Sequence, residues 1–287
     1  HDRYRRQRQM CIRDSILTML NFISTPIGNL NDISLRAIDV IRSSDYLYTE
    51  DTRRSKTLLD HINLQKKCNS FHEHNEDYVS KKIIQQLNDN KIVSIISDAG
   101  TPAISDPGYK LIKKCIKENL KYTLIPGPSS VISALLMSGL PTDRFSFFGF
   151  FPKKNNEREF VLQNFKYEKK TIIFFESSKR ISKTLNDIAN YLDVKRMIAI
   201  CKEMTKVHEN VFRGNILEIS KKVEQNKFNL KGEIVVVIEG KKEIKNKIEI
   251  DNRIKSEYLK KLSVSDSAKL ISLITGERKR DIYKKLI

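Results

Sequence analysis

The densest run of chemistry-bearing residues is Asp98 to Gly108, where two aspartates, two prolines and two glycines fall within eleven positions. It follows directly on the apolar stretch Ile92–Ile96. Proline stiffens such a loop and glycine opens its backbone donors, while Asp98 can accept hydrogen bonds from a ribose or an amine. A structural loop closed by Asx turns has a similar composition. Loops this dense at the end of a buried strand nevertheless tend to carry a ligand. Asp98, Gly100, Thr101 and Pro102 are therefore candidate binding residues.

Two further loops share this character. Thr25-Pro26-Ile27-Gly28-Asn29 ends an apolar run, and Gly28 allows positive φ or a close backbone approach. The same residues also make an ordinary turn, and the pattern is not the GxGxxG of a dinucleotide fold. Pro126-Gly127-Pro128-Ser129-Ser130 precedes a helical period. Ser129 or Ser130 can be a simple N-cap, or the helix start can hold an anion such as a carboxylate. In the second half, Phe175-Glu176-Ser177-Ser178-Lys179-Arg180 follows another apolar run, and Glu203 to Arg213 gathers charge around His208. A His beside Glu suits acid–base chemistry, but a solvated charged loop has the same look. No set of ligands at metal spacing accompanies it, so no metal is expected.

The elements that must position these loops read as alternating strands and helices. Apolar runs at 20–24, 46–48, 92–96 and 122–125 are strand-sized, and helical periods occupy 33–41, 78–87, 109–118 and 131–137. This alternation predicts a mainly parallel sheet covered on both faces, with ligands at the carboxyl ends of its strands. A second α/β block carries strands at 145–150, 171–175, 197–200 and 234–238. A Lys-rich linker over 241–255 then leads to a helical tail. The expected domains are 19–138, 139–242 and a small basic helical domain at 256–287. Residues 1–18, Arg-rich and without apolar periodicity, are expected to be a non-native or disordered extension, with the true start near Met19.

The net charge of +18 favours a polyanionic partner, although lysine enrichment from an AT-rich genome raises the same number. No apolar run approaches the roughly 20 residues of a membrane span. The four scattered cysteines form no CxxC pair and support neither a disulfide framework nor a zinc site, which fits a reducing cytoplasm. From the residues alone the chain is a two-domain α/β protein with a nucleotide-like site and a basic surface.

The ordered motifs go further. Thr25-Pro26-Ile27-Gly28-Asn29-Leu30, Glu50-Asp51-Thr52-Arg53, Ser97-Asp98-Ala99-Gly100-Thr101-Pro102, Ile125-Pro126-Gly127-Pro128-Ser129, Phe148-Gly149-Phe150, Phe175-Glu176-Ser177, Glu203-Met204-Thr205-Lys206 and Lys231-Gly232-Glu233 occur in sequence. Together they resemble the tetrapyrrole methylase superfamily, in its branch that methylates small-subunit ribosomal RNA. The resemblance runs from about Leu20 to the end of the chain. It implies two α/β domains of the tetrapyrrole methylase type with a cofactor cleft between them, plus a small helical C-terminal domain. It implies S-adenosylmethionine as cofactor, a homodimer, and 2′-O-methylation of a cytidine in 16S RNA, with the assembled 30S subunit as the expected substrate.

Carried over by position, Gly28, Asn29, Asp98, Gly100, Thr101, Pro102, Ser129 and Ser130 should hold the cofactor. The reacting methyl is already activated by the sulfonium, so the protein mainly orients the reactants, and a base would take the hydroxyl proton. Glu50, Glu176 and Lys179 are candidates for catalysis, and Arg53, Arg180, Arg278 and Lys279 for binding RNA. The family's usual Pro-His after Glu-Ser is replaced here by Ser178-Lys179, so no imidazole role carries over. The alternatives are a tetrapyrrole methyltransferase of the same fold and a non-catalytic RNA-binding relative. The basic tail and the branch-specific loops argue against the first, and the full loop set against the second.

Overall fold

The structure is a computed structural model that describes residues 19–242, 251–275 and 277–287. The expected extension at 1–18 and most of the expected linker lie outside the described residues. The chain divides into two compact units, 1–241 and 242–287.

In the larger unit the first strands and helices are β1 (Leu20–Ile23), α1 (Leu35–Ser43), β2 (Tyr46–Thr49), α2 (Thr52–His61), β3 (Cys68–Ser70), α3 (Glu76–Asn88), β4 (Val93–Ile96), α4 (Tyr109–Lys117), β5 (Tyr122–Ile125) and α5 (Ser130–Ser138). The five strands form one sheet in the order β3-β2-β4-β1-β5, with every pairing parallel. Side chains alternate across it, as the period of two requires. Leu20, Phe22, Val93 and Ile95 pack beneath α3 and α4, whereas Ile23, Leu47, Ile96 and Ile125 pack beneath α1 and α2. Helix starts follow local chemistry: the Ser34 side chain accepts from the Ala37 N–H, and Asp51 does the same for Arg53.

The chain continues through β6 (Phe145–Phe150), α6 (Asn155–Tyr167), β7 (Thr171–Ser177), α7 (Ile181–Tyr191), β8 (Met197–Lys202), β9 (Asn210–Asn215), α8 (Ile216–Glu224) and β10 (Glu233–Ile238). These strands make a second sheet, β6-β7-β10-β8-β9. Only β6 and β7 pair in parallel; the other pairings are antiparallel. One cause is direct: β8 turns into β9 through the 203–209 loop without a crossover helix. On one face Ile172, Phe174, Ile200 and Val236 pack with α6, α7 and α8. On the other, Ile173, Ala199, Cys201, Val235 and Val237 receive Val131, Ala134 and Leu135 of α5. Helix α5 thus grows out of the first sheet and buries its apolar side on the second.

The smaller unit holds α9 (Asn252–Lys261), α10 (Val264–Thr275) and α11 (Lys279–Leu286), packed around Ala268, Ile271 and Ile282.

Candidate active site

All strands of the first sheet end at the same edge, and their loops are cross-tied there. The N–H of Thr25 donates to Gly100 O at 2.9 Å and the N–H of Gly100 returns to Thr25 O at 3.0 Å. Thr25 Oγ1 donates to Ser97 O, and Ser97 Oγ to Gly100 O, each at 3.1 Å. The hydroxyls of Ser24 and Thr101 lie 3.0 Å apart. Beyond this clamp the backbone enters the left-handed region repeatedly, at Gly100 (φ 81°), Ala103 (66°), Ser105 (64°) and Gly108 (137°). Non-glycine residues there are strained and persist only where the surroundings hold them. The hold is visible: the buried Glu76 carboxylate accepts the N–H groups of Gly108 and Lys110 at 3.0 and 3.1 Å.

These loops and the facing edge of the second sheet enclose a cavity of about 650 Å³, within the range of small-molecule and cofactor sites. Of the residues singled out from sequence, Glu50, Asp98, Gly100, Thr101, Ser129, Ser130 and Glu176 line it. Pro102 borders a narrow recess behind, which Glu50 and Asp106 also touch. The others stand elsewhere. Gly28 lies under the 204–206 loop, where a Cβ would come 2.5 Å from Lys206 Cγ and 2.8 Å from Met204 O. The Asn29 N–H donates to Thr205 Oγ1. Lys179 is exposed beside the lining residue Ser178. Arg53 is exposed and paired with Asp51 at 3.0 Å. Arg278 and Lys279 belong to the smaller unit, at the start of α11.

Glu176 lines the cavity but is tied down from behind. Its side chain is fully buried and accepts from the Ser177 N–H, Thr184 Oγ1 and Arg180 Nη2, each at 2.6 Å. Arg180 in turn donates to the carbonyls of Phe151 and Pro152 at 3.1 and 3.2 Å. This arginine is committed to holding Glu176 and the β6 exit.

Sequence reasoning passed over three features. Arg54, not only Arg53, meets the site: its guanidinium lies 3.4 Å from Asp98 Oδ2, while Oδ1 accepts the Asp51 N–H at 2.9 Å. Asp106 completes an acidic wall with Glu50 and Asp98. Burial, then the neighbouring negative charge of Asp98, raises Glu50 above the usual carboxylate range. Burial and then the charge of Glu50 push Asp106 up to about 7, against a lowering bond from Ser97. Opposite stand Phe147, Phe150 and Phe175, with ring centroids 4.9 and 5.2 Å from the shared Phe175. Asp106 lies within the dense 98–108 loop and Phe150 within the Phe148-Gly149-Phe150 motif, so both have a signal in the sequence. Arg54 differs from Arg53 only in helical phase.

The tetrapyrrole (corrin/porphyrin) methylase family matches residues 19–220. The chain is 37% identical over 265 residues to "Ribosomal RNA small subunit methyltransferase I" of Xylella fastidiosa, covering 92% of this chain and 97% of that protein. It is 42% identical to the protein of that name from Thermotoga maritima, over 77% of this chain and 98% of the other. The chain belongs to the tetrapyrrole methylases, in the ribosomal RNA small subunit methyltransferase I family.

Solved tetrapyrrole methylase-fold structures agree on the architecture. Diphthine synthase matches with TM-score 0.61 at 14% identity, over 77% of this chain and 90% of that one. Uroporphyrin-III-C-methyltransferase from Thermus thermophilus matches with TM-score 0.56 at 12% identity, over 77% and 94%. As a methylase of this family, the chain needs one pocket for a methyl donor and access for a much larger acceptor. The cavity between the two sheets is lined by both apolar residues, such as Ile27, Val131 and Val235, and acidic ones, Glu50, Asp98 and Asp106.

Proposed function

We propose that this methylase transfers a methyl group from S-adenosylmethionine to the ribose 2′-hydroxyl of a cytidine in small-subunit ribosomal RNA. The substrate is the assembled 30S subunit, and the enzyme works as a cytoplasmic homodimer. The observation that carries the reading is the cavity itself, whose wall chemistry fits the cofactor part by part. The first turn of α5 presents free backbone N–H donors suited to the methionine carboxylate; among the described residues, the Ser129 side chain takes up none of them. Ile27, Val131, Met204 and Val235 supply an apolar floor for the adenine. On the acidic wall, Glu50 and Asp98 complement a sulfonium and can accept from ribose hydroxyls. When bound, the cofactor supplies a methyl already activated for displacement, so the chain's own residues bind, orient and exclude water.

Polyanion binding is supported by the +18 net charge and by exposed cations such as Arg53, Arg278 and Lys279. The dimer is supported by Ile132 and Leu136, one turn apart on α5 and 54% and 74% exposed. No described helix is long and apolar enough to cross a membrane.

The test is transfer of labelled methyl to purified, unmethylated small subunits, followed by nuclease mapping. One 2′-O-methylated cytidine is the expected result. Transfer to a tetrapyrrole with none to RNA would overturn the proposal, as would RNA binding without any affinity for the cofactor.

A further inference from the structure

The methyl transfer proposed above leaves open which group receives the hydroxyl proton, and the cavity wall narrows the choice. Glu176 is saturated by three donors and its side chain is wholly buried. Both oxygens of Asp98 are engaged, one by the Asp51 N–H and the other by Arg54. Glu233 is largely exposed and already paired with Lys206 at 3.0 Å. Burial and then the charge of Asp98 raise Glu50 above the usual carboxylate range, but Arg54 and the backbone N–H of Asp98 act against that rise by favouring its charged form.

Asp106 shares the burial and the like charge of Glu50 but is opposed by a hydroxyl rather than by a cation. Its hydrogen-bond partner is the Ser97 hydroxyl, and the charges that act on it are the carboxylates of Glu50, from the end of β2, and Asp98, from the end of β4. The nearby cation, Arg54 on α2, is directed to Asp98. One side of Asp106 meets the narrow apolar recess with Phe71, Ile95 and Pro107, and the other meets the main cavity. Its backbone is fixed on both sides, by the left-handed Ser105 before it and by the bond from Gly108 to Glu76 after it.

We infer that Asp106 is the catalytic base, accepting the proton of the ribose 2′-hydroxyl at its carboxylate, with Glu50 and Asp98 as positioning residues. The O–H bond breaks as the oxygen bonds to the transferred carbon, and the pair of the broken carbon–sulfur bond stays with sulfur. Asp106 becomes the neutral acid and later gives its proton to water. A carboxylate surrounded by like charge in a partly dry wall is a stronger base than one in solution, which suits an alcohol. Burial and the charge of Glu50 push Asp106 up to about 7 in the free enzyme. A sulfonium in the cavity would favour its ionised form and lower this value.

The experiment measures single-turnover methyl transfer to unmethylated small subunits across pH, and S-adenosylhomocysteine binding by calorimetry. Asp106→Asn should slow transfer about 10²- to 10⁴-fold while leaving S-adenosylhomocysteine affinity intact, which also reports a folded cavity. Wild-type rates should fall on the acid side of an apparent pKa at or below 7, and this limb should vanish in the variant. Glu50→Gln removes a like charge, so the limb should move to lower pH. Transfer by Asp106→Asn at the wild-type rate overturns the inference, as does a loss of cofactor affinity matching the loss of rate. Absence of transfer by the wild type, with cofactor bound, instead sinks the underlying reading and this inference with it.

Discussion

The N–H of Gly108 donates to Glu76 Oε1 at 3.0 Å, joining the end of the strained loop to the first turn of α3. The same oxygen also takes the Lys110 N–H, at 3.1 Å. In Glu76→Ala both donors lose their partner inside the protein, at a cost of about 1–3 kcal/mol for the buried Gly108 N–H left unpaired. Urea denaturation should show a lowered midpoint, and calorimetry weaker cofactor binding, because the loop that carries Asp98 to Asp106 is released. A variant as stable as wild type would mean that the cross-ties to Thr25 suffice alone.

Arg180 and Glu176 form a half-hidden pair whose two members are not equivalent. Arg180→Met leaves a carboxylate with no exposed surface, supported only by Thr184 and the Ser177 N–H. Breaking a buried pair on one side costs about 3–5 kcal/mol. Glu176→Gln keeps the volume and removes the charge, so it should cost less. Thermal denaturation of the two variants should rank them in that order; equal losses would show that Arg180 matters mainly through the carbonyls of Phe151 and Pro152.

Gly28→Ala places a methyl 2.5 Å from Lys206 Cγ and 2.8 Å from Met204 O. The lysine stem can move, but the backbone carbonyl cannot without shifting the loop. Overpacking of this kind costs about 1–3 kcal/mol. The expected signature is lower stability together with weaker cofactor binding, since Met204 lines the cavity. Unchanged affinity would separate this contact from the site.

Much of this arrangement was legible before any coordinates, and the limits are physical. Strands β1, β2, β4 and β5 announce themselves as apolar runs with period two or fully buried faces, and a helix start is marked by either Asp32 or Ser34, of which the structure uses Ser34. β3 and β9 escape because they are edge strands, short or polar, whose residues Cys68–Ser70 and Asn210–Asn215 carry no run to count. The acidic wall could be seen only in part. Glu50, Asp98 and Asp106 converge through sheet pairing, and a single sequence does not say that β2 lies beside β4. The contact of Asn29 with Thr205 spans 176 positions and leaves no local trace.

Stability should depend on pH through Asp106. In the unfolded chain it ionises near its ordinary 3.8, whereas in the folded chain it keeps its proton up to about 7. Between these limits the folded state binds the additional proton, so the contribution is fully present below the lower value and is lost as pH rises through the upper one. Urea midpoints should therefore fall across this window, and less steeply in Asp106→Asn. Parallel curves for the two proteins would remove Asp106 from the account.

Arg278 stands at the N-cap position of α11 in the small basic unit, its side chain making no cap bond, and is exposed. If it contacts phosphate, Arg278→Gln should weaken subunit binding without changing which nucleotide is methylated. The slope of log affinity against log salt should shrink by about 1. A changed methylation site with an unchanged slope would instead assign Arg278 to base recognition.

The burial of α5 on the second sheet has a consequence for any attempt to take the enzyme apart. Val131, Ala134 and Leu135 complete a core whose other members lie on β7, β8 and β10, and Arg213 of β9 donates to the Met137 and Ser138 carbonyls that end the helix. A chain cut after Gly139 would leave the first fragment with a greasy helix and the second with a bare sheet face. Neither fragment should remain soluble alone, but co-expressed they should find each other and reassemble. The helix that opens the proposed cofactor pocket is thus also the tenon that makes the two halves one enzyme.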